Sequence, residues 1–244
     1  ETPKAPVAGT VEGNNFAMID GFDITTLDYV YNNKSSNGDY TSNFIEGLLT
    51  QDSHGKLVPG MASAWEANDD ATVWTFTIRD DAWWITAEGE QYAKVTAEDF
   101  VTGLRHGADF NSETIGLIAP YLVGLQDYMD GTGTWEDVGI KKVDDYTIQI
   151  VTTSPDFTEA NVCAHFNTRA TTLVYEPYYE AGMNEDRTST TYGSKPEEYM
   201  SCGPYMLDTW TNDSIQIYKK NPNYWQGELF HYDTVEVRVI EEMN

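Results

Sequence analysis

The strongest constraint in this sequence is a strand signal: Trp74, Phe76 and Ile78 alternate with Thr75, Thr77 and Arg79. Alternation at period two puts one face of a strand in a core and the other toward water. The surrounding stretch, residues 44–106, carries the densest structural punctuation in the chain. An apolar segment, Phe44-Ile45-Glu46-Gly47-Leu48-Leu49, runs into the turn Asp52-Ser53-His54-Gly55, then Leu57-Val58-Pro59-Gly60 and a piece bearing Trp65. Beyond the strand, Thr96 stands before Ala97, Glu98 and Asp99. A capping hydroxyl followed by acids predicts a helix start, and Phe100, Val101 and Leu104 then share one helical face. Upstream, Asp39 or Thr41 can cap a short helix carrying Phe44, Leu48 and Leu49.

At 244 residues the chain has room for one large domain or two ordinary ones, with a sizeable core. With 40% hydrophobic and 13% aromatic residues it is too rich in core formers to be disordered. Its formal net charge of −26 opposes nucleic-acid binding, which needs basic patches to neutralise phosphates, and disfavours adsorption to anionic lipid. No apolar run approaches the roughly 18 residues of a membrane span. Residues 1–15, beginning Glu1-Thr2-Pro3-Lys4-Ala5-Pro6, read as a tail or linker rather than a signal peptide.

Further along, residues 32–38 are turn-rich and polar, a loop by composition. A second helical segment is expected over residues 112–129, broken at Pro120 and ended by Gly131-Thr132-Gly133. Asp144-Asp145 forms a turn before the alternating strand Tyr146, Ile148, Ile150. Residues 156–165 look helical, and Glu176-Pro177 opens another helix that stops near Gly182. Cys202-Gly203-Pro204-Tyr205-Met206-Leu207 begins a strand whose hairpin partner carries Ile215, Ile217 and Tyr218. Val235, Val237 and Val239 mark a last strand.

No constellation for catalysis emerges. His54, His106, His165 and His231 are scattered, without the spacing of a metal site, and packing explains Cys163 and His165 better than ligation. No nucleophile elbow occurs. The acid pairs Asp69-Asp70, Asp80-Asp81, Asp144-Asp145 and Glu241-Glu242 have the look of turns and solvated surface. The reading is therefore of no catalytic residue, no metal and no cofactor. The 16 Tyr and 7 Trp leave open an exported carbohydrate-binding or hydrolytic module, in which exposed rings serve as stacking platforms.

Taken in order, Glu46-Gly47-Leu48-Leu49, the turn from Asp52 to Gly60, Trp65, the strand from Trp74 to Arg79 and Val95-Thr96-Ala97-Glu98-Asp99-Phe100-Val101 resemble a known family. So do residues 139–150 and the turn Lys219-Lys220-Asn221-Pro222-Asn223-Tyr224-Trp225. The chain is similar to the extracellular solute-binding proteins of family 5, the oligopeptide-binding proteins of bacterial ABC importers. The insert Ala87-Glu88-Gly89-Glu90-Gln91-Tyr92 is like that of the Gram-positive lipoprotein branch.

The resemblance implies an α/β, periplasmic-binding-protein-like (type II) lobe with an inserted satellite subdomain. Residues 16–46 plus 172–244 would form a discontinuous core lobe and residues 47–171 the satellite, with the second, C-terminal lobe absent from this stretch. It implies a substrate-binding component that captures an oligopeptide ligand outside the membrane for an ABC permease. The protein would sit at the extracellular face of the cell membrane through an upstream lipid anchor, or in the periplasm. By position in the family, Asn33, Lys34, Ser35 and Ser36 lie on the cleft-facing side, and Ser201, Cys202 and Gly203 near the cleft floor. Cys202 stands where the family usually has Asn. In an exported protein Cys163 and Cys202 are open to a disulfide; two separate buried thiols are the alternative.

Overall fold

The computed structural model describes residues 14–31, 38, 40–52, 54–154, 173–194 and 199–240. The first half carries β1 (Asn15–Asp20), β2 (Leu49–Gln51), β3 (Leu57–Pro59), β4 (Ala62–Ala67), β5 (Val73–Ile78), β6 (Trp83–Ile85), β7 (Gln91–Lys94) and α1 (Ala97–Asp109). Then come α2 (Leu125–Met129), β8 (Ile140–Asp144), β9 (Thr147–Val151) and α3 (Glu176–Gly182). The chain closes with β10 (Tyr205–Thr211), β11 (Ile215–Lys220) and β12 (Thr234–Val239).

Two four-stranded sheets organise these elements. The first is fed by both ends of the chain in the order β1-β12-β11-β10, with β1 parallel to β12 and the other neighbours antiparallel. The second, β4-β5-β9-β8, is antiparallel throughout and is drawn from residues 62–151. Two small hairpins, β2-β3 and β6-β7, complete the pairing.

The period-two signal falls on β5, whose Trp74, Phe76 and Ile78 are buried while Thr77 is exposed. β5 lies between β4 and β9, so its apolar face meets Ile148 and Ile150 of β9, both buried. Trp83 and Trp84 divide as a strand requires: Trp84 is fully buried, and Lys94 covers the ring of the half-buried Trp83 at 4.2 Å.

Thr96 is the N-cap of α1, and the Asp99 carboxylate reaches back to accept from Thr96 N at 2.8 Å. The same carboxylate accepts from Trp84 Nε1 at 3.0 Å and Glu176 N at 3.2 Å, tying β6 and the start of α3 to this helix. Burial pushes the Asp99 carboxyl up to about 6, although the bonds from Trp84, Thr96 and Glu176 pull the other way.

Two expectations are corrected. The helix expected to carry Phe44, Leu48 and Leu49 ends before them, at residue 41. The carbonyls of Gly47 and Leu48 instead accept from Met61 N and Ala62 N at 3.0 and 2.8 Å, so they serve the neighbouring segment and not a helical ladder. The segment 112–129 is not one kinked helix but a 3-10 turn at Ile115–Leu117 followed by α2. Between them Val123 N donates to Val151 O at 3.1 Å, so the backbone after Pro120 is recruited by the second sheet. β11 pairs with β10 as the expected hairpin partner, with Gln216 and Tyr218 buried and Ile215 and Ile217 half-buried. Gln216 is satisfied by donating to Asp23 Oδ1 at 2.6 Å.

Candidate functional site

Two backbone segments from distant parts of the chain meet beside the first sheet. One is residues 43–46, the other residues 201–205. The carbonyl of Phe44 accepts from both Cys202 N and Gly203 N at 2.9 Å, and Tyr205 N donates to Asn43 O at 2.8 Å. This approach explains the glycine: a Cβ on Gly203 would lie 2.8 Å from the Phe44 carbonyl carbon. On the other side Ser201 bridges to Ile85, with N–H···O distances of 2.7 and 3.2 Å.

Beside this junction is a cavity of about 290 Å³, lined in part by Tyr29, Asn43, Glu46, Pro204, Tyr224 and Phe230. Glu46 is its buried carboxylate. It accepts from Trp225 Nε1 at 3.0 Å and is hydrogen-bonded by Tyr224, and the Arg79 guanidinium lies 3.3 Å over the Trp225 ring. Burial lifts the Glu46 carboxyl to about 7; the Trp225 and Tyr224 hydrogen bonds and the Arg79 charge oppose the rise.

Tyr29 brings the segment from Leu27 to Tyr31 to the edge of this cavity. Leu27, Tyr29 and Val30 are buried, while Tyr31 is 48% exposed. Tyr29 OH donates to Leu173 O at 2.8 Å and itself accepts from Tyr192 OH at 2.9 Å. Asp28 pairs with His106, and Ser112 Oγ donates to Val30 O at 2.6 Å. The cavity lining itself combines the hydroxyls of Thr41 and Ser42 and the amide of Asn43 with the rings of Tyr29, Tyr224 and Phe230, the mixture of apolar surface and a few polar groups usual in a ligand pocket. Among the described residues no group of three His, Cys, Asp or Glu side chains could hold a metal ion. His106 and Asp28 are the kind of pair a nucleophile could use, but the other ring nitrogen of His106 has no hydrogen-bond partner among the described residues.

Of the residues singled out by sequence, Asn33, Lys34, Ser35 and Ser36 lie outside the described residues, as does Cys163. Ser201, Cys202 and Gly203 are brought together, but all three are buried, with Ser201 at 2% and Cys202 at 3% exposure. Among the described residues Cys202 is a buried thiol with no disulfide partner, and burial pushes its pKa up; its pairing with Cys163 lies outside the described residues. Sequence reasoning missed Tyr29, Glu46 and Tyr224 as cavity residues and His106 as the partner of Asp28. The Glu46–Trp225 and Asp28–His106 separations of 179 and 78 residues leave no local signal.

A sheet fed by both chain ends, with an antiparallel sheet inserted between them, is the architecture of a solute-binding lobe. The chain belongs to the bacterial extracellular solute-binding proteins, family 5, whose middle-region model matches residues 56–244. It is 35% identical over 227 residues to the oligopeptide-binding protein SarA of Streptococcus gordonii, covering 93% of this chain and 33% of that protein. It is 37% identical over 216 residues to the oligopeptide-binding protein AmiA of Streptococcus pneumoniae, covering 88% of this chain and 32% of that one. Among solved structures, the Haemophilus influenzae OppA complex with RPPGFSPFR superposes with a TM-score of 0.80 at 26% identity, over 95% of this chain and 43% of that chain. The chain therefore spans about a third of the length of the curated relatives it matches. No helix among the described residues is long and apolar enough to cross a membrane.

Proposed function

We propose that this chain is part of the substrate-binding component of an ABC importer, which captures oligopeptides outside the membrane and delivers them to the permease. The observation that carries the reading is the family match over residues 56–244, and the names of the two streptococcal relatives support it. The role is capture, not catalysis. Main-chain hydrogen bonds hold an extended peptide whatever its sequence, and wet, roomy pockets accept varied side chains.

Residues 16–46 plus 172–244 act as a core lobe and residues 47–171 as a satellite, a division supported by one sheet fed from both ends and another drawn from residues 62–151. A second lobe of the full-length receptor closes over the peptide by a hinge motion. Asn33, Lys34, Ser35 and Ser36 are the leading contacts, and the segment Ser201, Cys202 and Gly203 lies near the cleft floor. The receptor works at the extracellular face of the cell membrane, held by an upstream lipid anchor as in a Gram-positive lipoprotein, or in the periplasm.

The test is mass spectrometry of material released from the purified full-length protein. Co-purified mixed peptides are expected; released oligosaccharide with no peptide would sink the reading in favour of an exported carbohydrate-binding module.

A further inference from the structure

We propose that His106 is a positioning residue for peptide capture, holding Asp28 and Phe110 and, through both, the exposed Tyr31. The inference rests on the peptide-receptor reading and adds to it a residue remote from the expected contacts.

His106 sits on α1 and is fully buried. Its Nε2 lies 2.8 Å from both carboxylate oxygens of Asp28. An ionised carboxylate only accepts hydrogen bonds, so Nε2 carries the proton. The same carboxylate accepts from Tyr31 N at 3.3 Å, which ties the backbone three residues on. A second route runs through rings. The imidazole packs edge-on against Phe110 with centroids 5.0 Å apart, and Phe110 meets Tyr31 edge-on at 6.3 Å. Tyr179 and Tyr192 close the other sides of the imidazole at 4.7 and 5.7 Å, so the ring cannot swing away from Asp28 without displacing both.

Two further contacts hold the same segment. Ser112 Oγ donates to Val30 O at 2.6 Å. Gly193 lies so close that a Cβ there would be 2.5 Å from Asp28 N. Four consecutive residues, from Asp28 to Tyr31, are thus set by contacts reaching across from α1, from residues 110–112 and from residues 192–193.

The composition of the clamp argues for a positional role. Among the described residues His106 Nδ1 is buried without a partner, and Asp28 retains 14% side-chain exposure. For packing alone an apolar side chain would serve as well or better, because a buried polar pair recovers little beyond its desolvation penalty. What the pair adds is a single geometry, since the bifurcated contact fixes the carboxylate plane and so the direction of the Tyr31 N–H bond.

The experiment compares wild type, His106→Leu, His106→Gln and Ser112→Ala in the full-length protein. Calorimetry is run with a synthetic copy of the most abundant peptide eluted from the wild type, below every variant's unfolding midpoint. His106→Leu should weaken affinity about tenfold or more, and Ser112→Ala about threefold. His106→Gln, whose amide can donate from the place of Nε2, should stay within about threefold of wild type. A structural role alone would lower the unfolding midpoints and leave affinities equal, which overturns the proposal. Should His106→Leu fail to fold, His106→Phe, which keeps a buried ring but removes the donor to Asp28, takes its place; unchanged affinity there also overturns the proposal. A wild type that elutes and binds no peptide defeats the receptor reading and this inference with it.

Discussion

Glu46 Oε2 accepts a hydrogen bond from Trp225 Nε1 at 3.0 Å, joining residues 179 apart in sequence at the wall of a cavity. Both belong to motifs visible in the sequence, the Glu-Gly-Leu-Leu segment and the Asn-Pro-Asn-Tyr-Trp turn. Their contact joins those motifs in one physical role, because the turn supplies the donors that a buried carboxylate needs.

That carboxyl has a folded-state pKa raised from 4.5 to about 7, chiefly by burial. The native state therefore holds this proton more tightly than the unfolded chain does, and its contribution to stability declines as pH climbs through that window. The full change amounts to about 3 kcal/mol. Glu46→Gln cannot ionise, so its urea midpoint relative to wild type should be higher at about pH 8 than at about pH 5. Parallel pH dependence in the two proteins would refute this.

Gly203→Ala should destabilise by about 1–3 kcal/mol, because the added methyl meets main-chain atoms of residues 43–45 that are held by their own hydrogen bonds. Thermal unfolding measures it. A neutral effect would mean that the junction between residues 43–46 and 201–205 is looser than its distances imply.

Cys202 is a buried thiol with no disulfide partner among the described residues. A thiol reagent should leave it unmodified in the native protein and label it on unfolding without any reductant. Peptide mapping that found Cys202 joined to Cys163 would contradict the free thiol.

Trp84→Phe keeps a buried ring but removes the indole donor to Asp99 Oδ2. The Asp99 carboxyl, already raised to about 6, should rise further, and the protein should lose about 1–3 kcal/mol above that pH. Below about pH 5, where the neutral acid needs the donor less, the loss should shrink. Chemical denaturation at the two pH values separates this from simple loss of ring volume.

Elements with a local cause were legible. β5 follows from period two, α1 from Thr96 and the acids after it, and α3 from Pro177 at its start. The misread segments are those whose backbone groups found partners elsewhere. Residues 47–48 pair with residues 61–62, and residue 123 pairs with residue 151. Neither pairing leaves a mark in the local pattern. The expected contacts Ser201, Cys202 and Gly203 were placed by family position, which located the segment but did not reveal that its side chains are buried.

The sequence by itself determined strand period, helix start and turn chemistry, because those depend on neighbours within a few residues. It also carried the ordered motifs that mark a family 5 solute-binding protein. Only the tertiary structure decided which polar groups are buried together: Glu46 with Trp225, Asp28 with His106, and the parallel pairing of β1 with β12 that brings the two ends of the chain into one sheet. A buried carboxylate or imidazole is defined by partners distant in sequence, and desolvation makes each of those partners matter far more than it would at the surface.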